Sequence, residues 1–409
     1  MNLVPLAAEH VSGHALLPFS VYAADGRLLL PAHAPLADVR VQAKLGRQQA
    51  LFVQRADHDA WRRGLARAVD KVMQSNASLS QLAQARPDPV PPVQAPLPGE
   101  EWEHVVLALD RAVQAARRDV GWVRAVQDVQ AQMRAMVCRR VDEALFYFIH
   151  TGSRRTALYS SRQALRCMLI AGEAARELGW SEERIAVLDK AALTMNVASW
   201  QLQDELVCHV GPIVDEQQRA KIDRHPAEGA WWLRHSGVTD PAWLEAVQLH
   251  HDDSLAARAP SSLTPGQEMA HLLRRVDRYS AMLSRRAGRE ALSATQAAQQ
   301  ACLGTDGKPD PTGSLMLKAV GLYPPGCFVR LASRETGIVL ARGERANAPV
   351  VAALLNAEGA SMAEPRLRFT TQAKHAVCTA VSPGLVHVDP PLDRMQALHV
   401  YLKSNGPAA

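Results

Sequence analysis

Apolar residues recur at two different spacings along this chain of 409 residues. Between residues 101 and 312 they return every three or four positions, as at Leu165, Met168 and Leu169, which is typical of amphipathic helices. Towards both ends, short apolar runs are separated by turn residues, which predicts strands. The pattern therefore predicts a multidomain α+β protein, with an all-α helical bundle core between a small β-rich N-terminal module and a β-rich C-terminal extension.

Short strands are predicted at both ends of the chain. The N-terminal ones cover residues 16–22, 28–30 and 51–53, followed by a helix over 57–86. Asp25-Gly26 is predicted to be a hairpin turn, because this pair tolerates positive φ. The C-terminal strands are predicted at residues 327–331, 337–341, 385–388 and 397–400.

Six prolines between residues 87 and 98 interrupt both patterns. Proline can continue neither a helix nor a central strand, so this segment predicts an extended linker. The linker and the two patterns together predict four parts of the chain: the N-terminal module at 1–86, the linker at 87–100, the helical domain at 101–325 and the C-terminal extension at 326–409.

Residues 101–150 are predicted to form one or two long helices. Their apolar stripe through Val106, Leu109 and Val113 packs either into the core of the domain or against a second copy of the chain, which would make a homodimer.

Caps and breakers divide the rest of the helical part. Gly179 is predicted to end one helix, and Ser181 to cap the next. Pro226 suits the first turn of another helix. Two further helices are predicted at 241–251 and 266–286.

Composition and charge exclude several classes of protein. With 47% hydrophobic and 21% charged residues, the chain can bury a core and is not globally disordered. The net charge is only +5, with no basic block, so DNA is not an expected partner. Six scattered cysteines without a Cys-x-x-Cys pair favour a reducing compartment. With neither a signal-peptide pattern nor a long apolar run, the sequence predicts a cytoplasmic protein without a membrane span.

Three histidines and a carboxylate in the helical part are the candidate chemistry. His225 lies near a predicted helix start, His250 and His251 near a helix end, and Asp277 inside a helix. Such a set can hold Mn, Fe or Zn. Adjacent residues in a helix point about 100° apart. His250 and His251 can therefore bind at one site only if the helix ends there, and otherwise they would bind different metals or the substrate. A chance pair among 15 histidines and a surface ion pair of Asp277 are the alternatives.

The order of several motifs resembles the HD-GYP family, a branch of the HD superfamily of bacterial phosphohydrolases. The matching stretches are residues 163–183, 191–199, 221–229 with His-Pro-x-x-Gly, 247–252 with His-His-Asp, 272–286, and 320–331 with Gly-x-Tyr-Pro-x-Gly. The resemblance implies an HD-type helical core, hydrolysis of cyclic di-GMP, and two or three clustered iron or manganese ions.

Departures fall on ligand positions that this resemblance implies. The first metal histidine of the family falls on Gln163, and its His-Asp doublet falls on Met195 and Asn196. Of the Gly-Tyr-Pro triplet, near residues 258–260, only the proline survives. A thioether is a poor ligand for Fe(II) or Mn(II), and a neutral amide bridges two ions poorly. The implied ligands that remain, as a vestigial or single-metal site, are His225, His250, His251 and Asp277.

Two functions are therefore predicted. The first is a degenerate HD-GYP-like signalling protein of bacteria without hydrolytic activity. It would bind a partner protein or a cyclic dinucleotide, and it would hold either no cofactor or a single Fe or Mn ion. Its ligand contacts would be Arg258, Arg274 and Arg278, unless these only form a solvated helix face. The alternative is a cyclic di-GMP phosphodiesterase with a reduced metal site, in which Asp252 or Asp253 is the acid or base.

Overall fold

The computed structural model describes residues 3–6, 17, 19–32, 50–55, 57–59, 61–62, 99–209, 215–302 and 310–405. The predicted linker up to residue 98 and the predicted helix beyond residue 62 lie outside these ranges. The chain divides into two compact units, Met1–His104 and Val105–Ala409. Within the described ranges, no helix combines the length and apolar character that a bilayer crossing requires.

The N-terminal unit contains a four-stranded antiparallel sheet. Its strands are β1 (Leu3–Leu6), β2 (Val21–Tyr22), β3 (Leu28–Leu30) and β4 (Leu51–Gln54), in the order β1-β4-β2-β3. The strands predicted at 28–30 and 51–53 are confirmed, the one predicted at 16–22 is found at Val21–Tyr22 only, and β1 was not predicted. Gly26 has a φ of 76° in the β2–β3 turn, as the Asp-Gly pair predicts. Phe19 packs edge-on against Trp61 in the core of this unit.

Twelve helices are found among the described residues from position 99 onward. They are α1 (Glu100–Ala115), α2 (Trp122–Val137), α3 (Val141–Arg154), α4 (Tyr159–Glu177), α5 (Glu182–Thr194), α6 (Trp200–Val207), α7 (Glu216–His235), α8 (Pro241–Leu249), α9 (Pro265–Met282), α10 (Ala294–Cys302), α11 (Pro311–Val320) and α12 (Leu392–Asn405). The predicted fold class, a helical core with β-rich parts at both ends, is confirmed.

Local signals account for several of these boundaries. Residues 101–150 form three helices, because the chain turns at Gly121, where the Asp119 side chain accepts from the backbone N–H, and again near Arg140. Gly179 adopts a φ of 71° after α4, and the Ser181 hydroxyl caps α5, as predicted.

The prediction for Pro226 was wrong, because this proline lies in the middle of α7 rather than in its first turn. The helix begins ten residues earlier, where Asp215 and Gln218 form a capping box. An interior proline cannot donate to the carbonyl four residues before it, so the Ile222 carbonyl loses its helical donor. That carbonyl becomes important in the site described below.

A second antiparallel sheet follows the helices. Its strands are β5 (Phe328–Leu331), β6 (Thr336–Ala341), β7 (Val350–Leu355), β8 (Ser361–Phe369) and β9 (Val377–Val381), in the order β8-β7-β6-β5-β9. The two strands predicted at 327–331 and 337–341 are confirmed as β5 and β6, whereas β7, β8 and β9 were not predicted.

The strands predicted at 385–388 and 397–400 were wrong. Residues 397–400 lie within α12, where Met395, Leu398 and Leu402 recur at helical spacing and pack on the sheet. Residues 385–388 follow a 3₁₀ turn at Pro383–Leu385 and pair with no described strand. A short apolar run alone does not distinguish these states.

The second sheet packs directly against α3. Gly326, with a φ of 93°, lies so close that a Cβ there would be 2.6 Å from the carbonyl oxygen of Phe146. From the end of β6, Arg342 donates to Asp142 of α3 and Glu173 of α4, each at 2.6 Å. One guanidinium therefore ties the sheet to two helices.

Replacing Arg342 by Met should destabilise the protein by about 1–3 kcal/mol, because Asp142 loses its guanidinium partner and Glu173 keeps only Arg176. Urea unfolding monitored by circular dichroism measures this change. Arg345 is exposed, so Arg345→Met removes the same charge and should change stability little. Equal losses in the two variants would contradict the role given to Arg342.

Two histidines are buried between α3, the sheet and α12. His150 stacks on Phe146, and His399 contacts the same Phe146 ring edge-on. Burial lowers the pKa of His150 to about 3 and that of His399 to about 4. His150 Nδ1 and His399 Nε2 have no hydrogen-bond partner among the described residues. Both imidazoles are therefore held neutral.

The free energy of unfolding should fall as the pH drops below 6.5. Above pH 6.5 both histidines are neutral in the folded and in the unfolded protein. Between pH 6.5 and about pH 4 only the unfolded chain takes up protons on them, which favours unfolding. His399→Phe should reduce the loss between pH 7 and pH 5 by about 2 kcal/mol. Urea unfolding at the two pH values measures this loss, and exposed His387→Phe is the control. If His399→Phe lost as much unfolding free energy as the unmodified chain, His399 would not be the buried neutral histidine described here.

Candidate functional site

The structure brings three of the predicted ligands together. His225 projects from α7, whereas His250 and His251 follow the last residue of α8. His225 Nε2 lies 3.2 Å from His250 Nε2, and one nitrogen of each of the three rings lies within 4.8 Å of the others. His225 and His250 are buried, and His251 lies at the surface. Because α8 ends before the pair, adjacent residues can face one site.

The orientation of His225 depends on the proline that follows it. Pro226 removes the N–H that would bind the Ile222 carbonyl, and His225 Nδ1 takes its place at 2.5 Å. A carbonyl oxygen only accepts, so Nδ1 carries the ring proton. Nε2 of the neutral ring therefore presents a lone pair.

The end of α8 orients His250 in the same way. The last four carbonyls of a helix lack an intrahelical donor. One of them, the carbonyl of Val247, accepts from His250 Nδ1 at 2.7 Å. The Nε2 atom of His250 therefore also presents a lone pair, and both imidazoles have the backbone partner that is usual for metal-binding histidines.

Burial keeps these rings in the form that binds metal. It lowers the pKa of His225 to about 4 and the pKa of His250 well below its usual value. The third ring, His251, also has a lowered pKa, through partial burial opposed by Asp277. At neutral pH all three imidazoles are uncharged and available as ligands.

Asn196 completes a cluster of acceptor atoms. Its Oδ1 lies 3.1 Å from His225 Nε2, while its buried Nδ2 has no partner among the described residues. As placed, two imidazole lone pairs and an amide oxygen face one another without a proton donor between them. A cation satisfies this arrangement, as does an amide turned so that Nδ2 donates to His225. The donor set thus fits one ion.

The other half of the predicted metal site is closed by hydrogen bonds within the protein. Gln163 Nε2 donates to the Asp277 carboxylate at 2.9 Å and to the Asp277 carbonyl at 3.1 Å. Gln163 Oε1 accepts from Arg166 and, at 3.1 Å, from Ser280. Met195 is fully buried and offers only a thioether. This half therefore does not fit a second metal ion.

The proposed acid and base residues are engaged in local contacts. Asp252 Oδ1 accepts from the Ser254 N–H, and this hydrogen bonding lowers the pKa of the Asp252 carboxyl. Asp253 forms an ion pair with Arg274. With its lowered pKa, the Asp252 carboxyl is ionised at neutral pH and is a poor general acid. The Asp253 carboxylate is occupied by Arg274.

Two of the three candidate arginines are held within the protein. Arg274 donates to the His251 carbonyl at 2.6 Å, and Arg258 donates to Gln267 at 3.0 Å and to the Ser262 carbonyl at 2.8 Å. Arg278 is exposed and makes no hydrogen bond or ion pair with a described residue. It is the candidate arginine with a side chain available to a ligand.

Sequence reasoning missed Arg166, which is 1% exposed despite its charge. The available signal was its position one turn after Gln163, among the apolar residues of α4. A charge on the apolar face of a helix requires a buried partner, and that requirement could have drawn attention to Arg166.

Replacing His250 by Ala should abolish binding of one Fe(II) ion per chain, because two imidazoles and an amide are too few ligands to retain it. Anaerobic equilibrium dialysis followed by elemental analysis measures the ion. His387→Ala removes an exposed histidine elsewhere and should retain it. Unchanged iron in the His250 variant would contradict the site.

No model of a known protein family matches this chain. Over 254 residues it is 26% identical to a cyclic di-GMP phosphodiesterase of Pseudomonas aeruginosa, an alignment that takes in 59% of this chain and 60% of that protein. The chain thus spans less than two thirds of this relative's length.

One solved structure is also similar. It is described as an HDG"Y"P protein of Bdellovibrio bacteriovorus, and the similarity covers 77% of this chain and 98% of that chain, with 11% identity and a TM-score of 0.42. The sequence relation to a cyclic di-GMP phosphodiesterase agrees with the family that the motifs around His225 and His250 resemble. The chain is therefore related to the HD-GYP family.

Proposed function

We propose that the chain is a non-hydrolytic HD-GYP-like signalling protein that retains a site for one metal ion and binds a cyclic dinucleotide. The observation that carries this proposal is the contact between Gln163 and Asp277. An amide nitrogen, which is not a metal ligand, lies 2.9 Å from the carboxylate oxygen that a second ion would need.

The chemistry of phosphodiester hydrolysis supports this reading. A two-metal site clamps the attacking and leaving oxygens and makes a bound water acidic enough to attack. Gln163 and Asn196 supply amides where such a site needs charged or strongly basic ligands. Three neutral imidazoles would hold one Fe or Mn ion, which would supply a single Lewis acid.

The proposed ligand follows from the relative and from one side chain. The relative is a cyclic di-GMP phosphodiesterase. Arg278 is exposed and directly follows Asp277 on α9. An exposed guanidinium on the same helix as Asp277 suits a phosphate diester, which it can bind through two parallel hydrogen bonds. A partner protein is the other binding role that the sequence predicts.

The alternative function, a single-metal phosphohydrolase, is favoured by one observation. The lone pairs of His225 and His250 converge at 3.2 Å, as in a site prepared for a catalytic ion. Against it, Asp252 and Asp253 are held in local contacts rather than poised as acid or base.

Purified protein supplied anaerobically with Fe(II) or Mn(II) should release no linear dinucleotide and no GMP from cyclic di-GMP, because the second ion is missing. Chromatography of the products measures turnover. Product that grows with the amount of protein and disappears in the His250→Ala variant would establish the alternative.

Cyclic di-GMP should bind the same protein without being consumed, and Arg278→Gln should weaken binding about tenfold by removing a charge-assisted contact. Isothermal titration calorimetry measures the affinity. Arg118→Gln, an exposed change on the segment between α1 and α2, should leave it unchanged. Absence of any binding would exclude the nucleotide and leave the partner protein.

A further inference from the structure

We infer that Arg166 is a positioning residue that excludes a second metal ion, because it fixes which end of the Gln163 amide faces Asp277. The inference rests on the proposed function only in taking the three histidines as the site of the first ion. It concerns two side chains of α4, Gln163 and Arg166, and their partners on α3, on α9 and just after α9.

The chemistry of the partners determines the orientation of the Gln163 amide. A guanidinium can only donate hydrogen bonds, so the Gln163 atom that faces Arg166 Nη2 must be the oxygen. The carbonyl and the carboxylate of Asp277 can only accept, so the atom that faces them, at 3.1 and 2.9 Å, must be the nitrogen. Turning the amide over would break both sets of contacts at once.

Arg166 itself is held rigidly. Its guanidinium donates to the hydroxyl groups of Ser280 and Ser284 and, at 3.2 Å, to the Phe148 carbonyl. Gly152 leaves the space for it, since a Cβ at that position would collide with Arg166 Nη1. A guanidinium anchored on three other groups cannot follow a turn of the Gln163 amide.

Two consequences exclude a cation from Asp277. The Gln163 N–H group occupies the side of the carboxylate that a metal ion would need, and an amide nitrogen offers no lone pair in exchange. A second positive charge there would also lie one side chain away from the buried guanidinium, and like charges at that separation repel each other. Arg166 thus keeps a positive charge next to the position that a second ion at Asp277 would take.

The decisive variant is Gln163→Glu, which replaces the nitrogen facing Asp277 by oxygen and keeps the contact with Arg166. Two carboxylates side by side should then bind about one more Mn(II) per chain than the unmodified protein. Equilibrium dialysis against Mn(II) with elemental analysis counts the ions. Exposed Gln132→Glu on α2 adds the same charge elsewhere and should bind no additional ion.

Arg166→Met tests the orienting group itself. Without the guanidinium, the Gln163 oxygen can turn towards Asp277, and the Mn(II) count should again rise above that of the unmodified protein. A folded Arg166→Met protein that keeps the original count would overturn the role of Arg166. If circular dichroism shows that this variant does not fold, Gln163→Glu decides alone.

An unchanged count in Gln163→Glu, or two ions in the unmodified chain, would overturn the inference. The ion count does not depend on hydrolysis, so failure of the proposed function is recognised separately. Turnover of cyclic di-GMP by a protein with one ion would contradict the proposed function and leave the inference intact.

Discussion

The backbone carbonyls of Ile222 and Val247 determine what the site can do. Each accepts the Nδ1 proton of a buried histidine and so fixes the tautomer that leaves Nε2 bare. Each carbonyl lacks a backbone N–H donor within its own helix. Pro226 removes the donor for the Ile222 carbonyl, and the Val247 carbonyl lies in the last turn of α8, where no donor follows. Without these acceptors the rings could satisfy each other by donating across the 3.2 Å gap, and no set of lone pairs would converge.

The two halves of the site differ in how completely their polar groups find hydrogen-bond partners within the protein. Around the histidines, acceptors face acceptors, and Asn196 Nδ2 has no partner among the described residues. Around Asp277, by contrast, the Gln163 amide connects a buried cation to a half-buried carboxylate and leaves neither of its ends free. Buried polar groups are costly when unpaired. The open half can therefore accept a cation, and the closed half has no need of one.

The fold class and the histidine half of the site could be predicted from the sequence, because both depend on local patterns. Helical spacing and caps gave most of the helices, and the His-Pro and His-His-Asp motifs gave three residues that lie together. The strands predicted at 385–388 and 397–400 failed because short apolar runs carry no information about their partners. The tautomers could not be predicted either, since they depend on Pro226 lying in mid-helix, which the cap at Asp215 decides.

The closed half lay beyond sequence reasoning because its meaning depends on contacts between α4 and the α9 region. The sequence shows that position 163 holds a glutamine rather than the histidine that the resemblance implies. It does not show whether the oxygen or the nitrogen of the Gln163 amide faces Asp277, and only the oxygen could bind a metal. Helix α4, which carries Gln163 and Arg166, also carries Glu173, the partner of Arg342 from the second sheet. The helix that orients the amide is therefore held at its other end by the C-terminal strands. Because interiors are close-packed, the same helix α4 contributes both to the packing of that sheet and to the closure around Asp277.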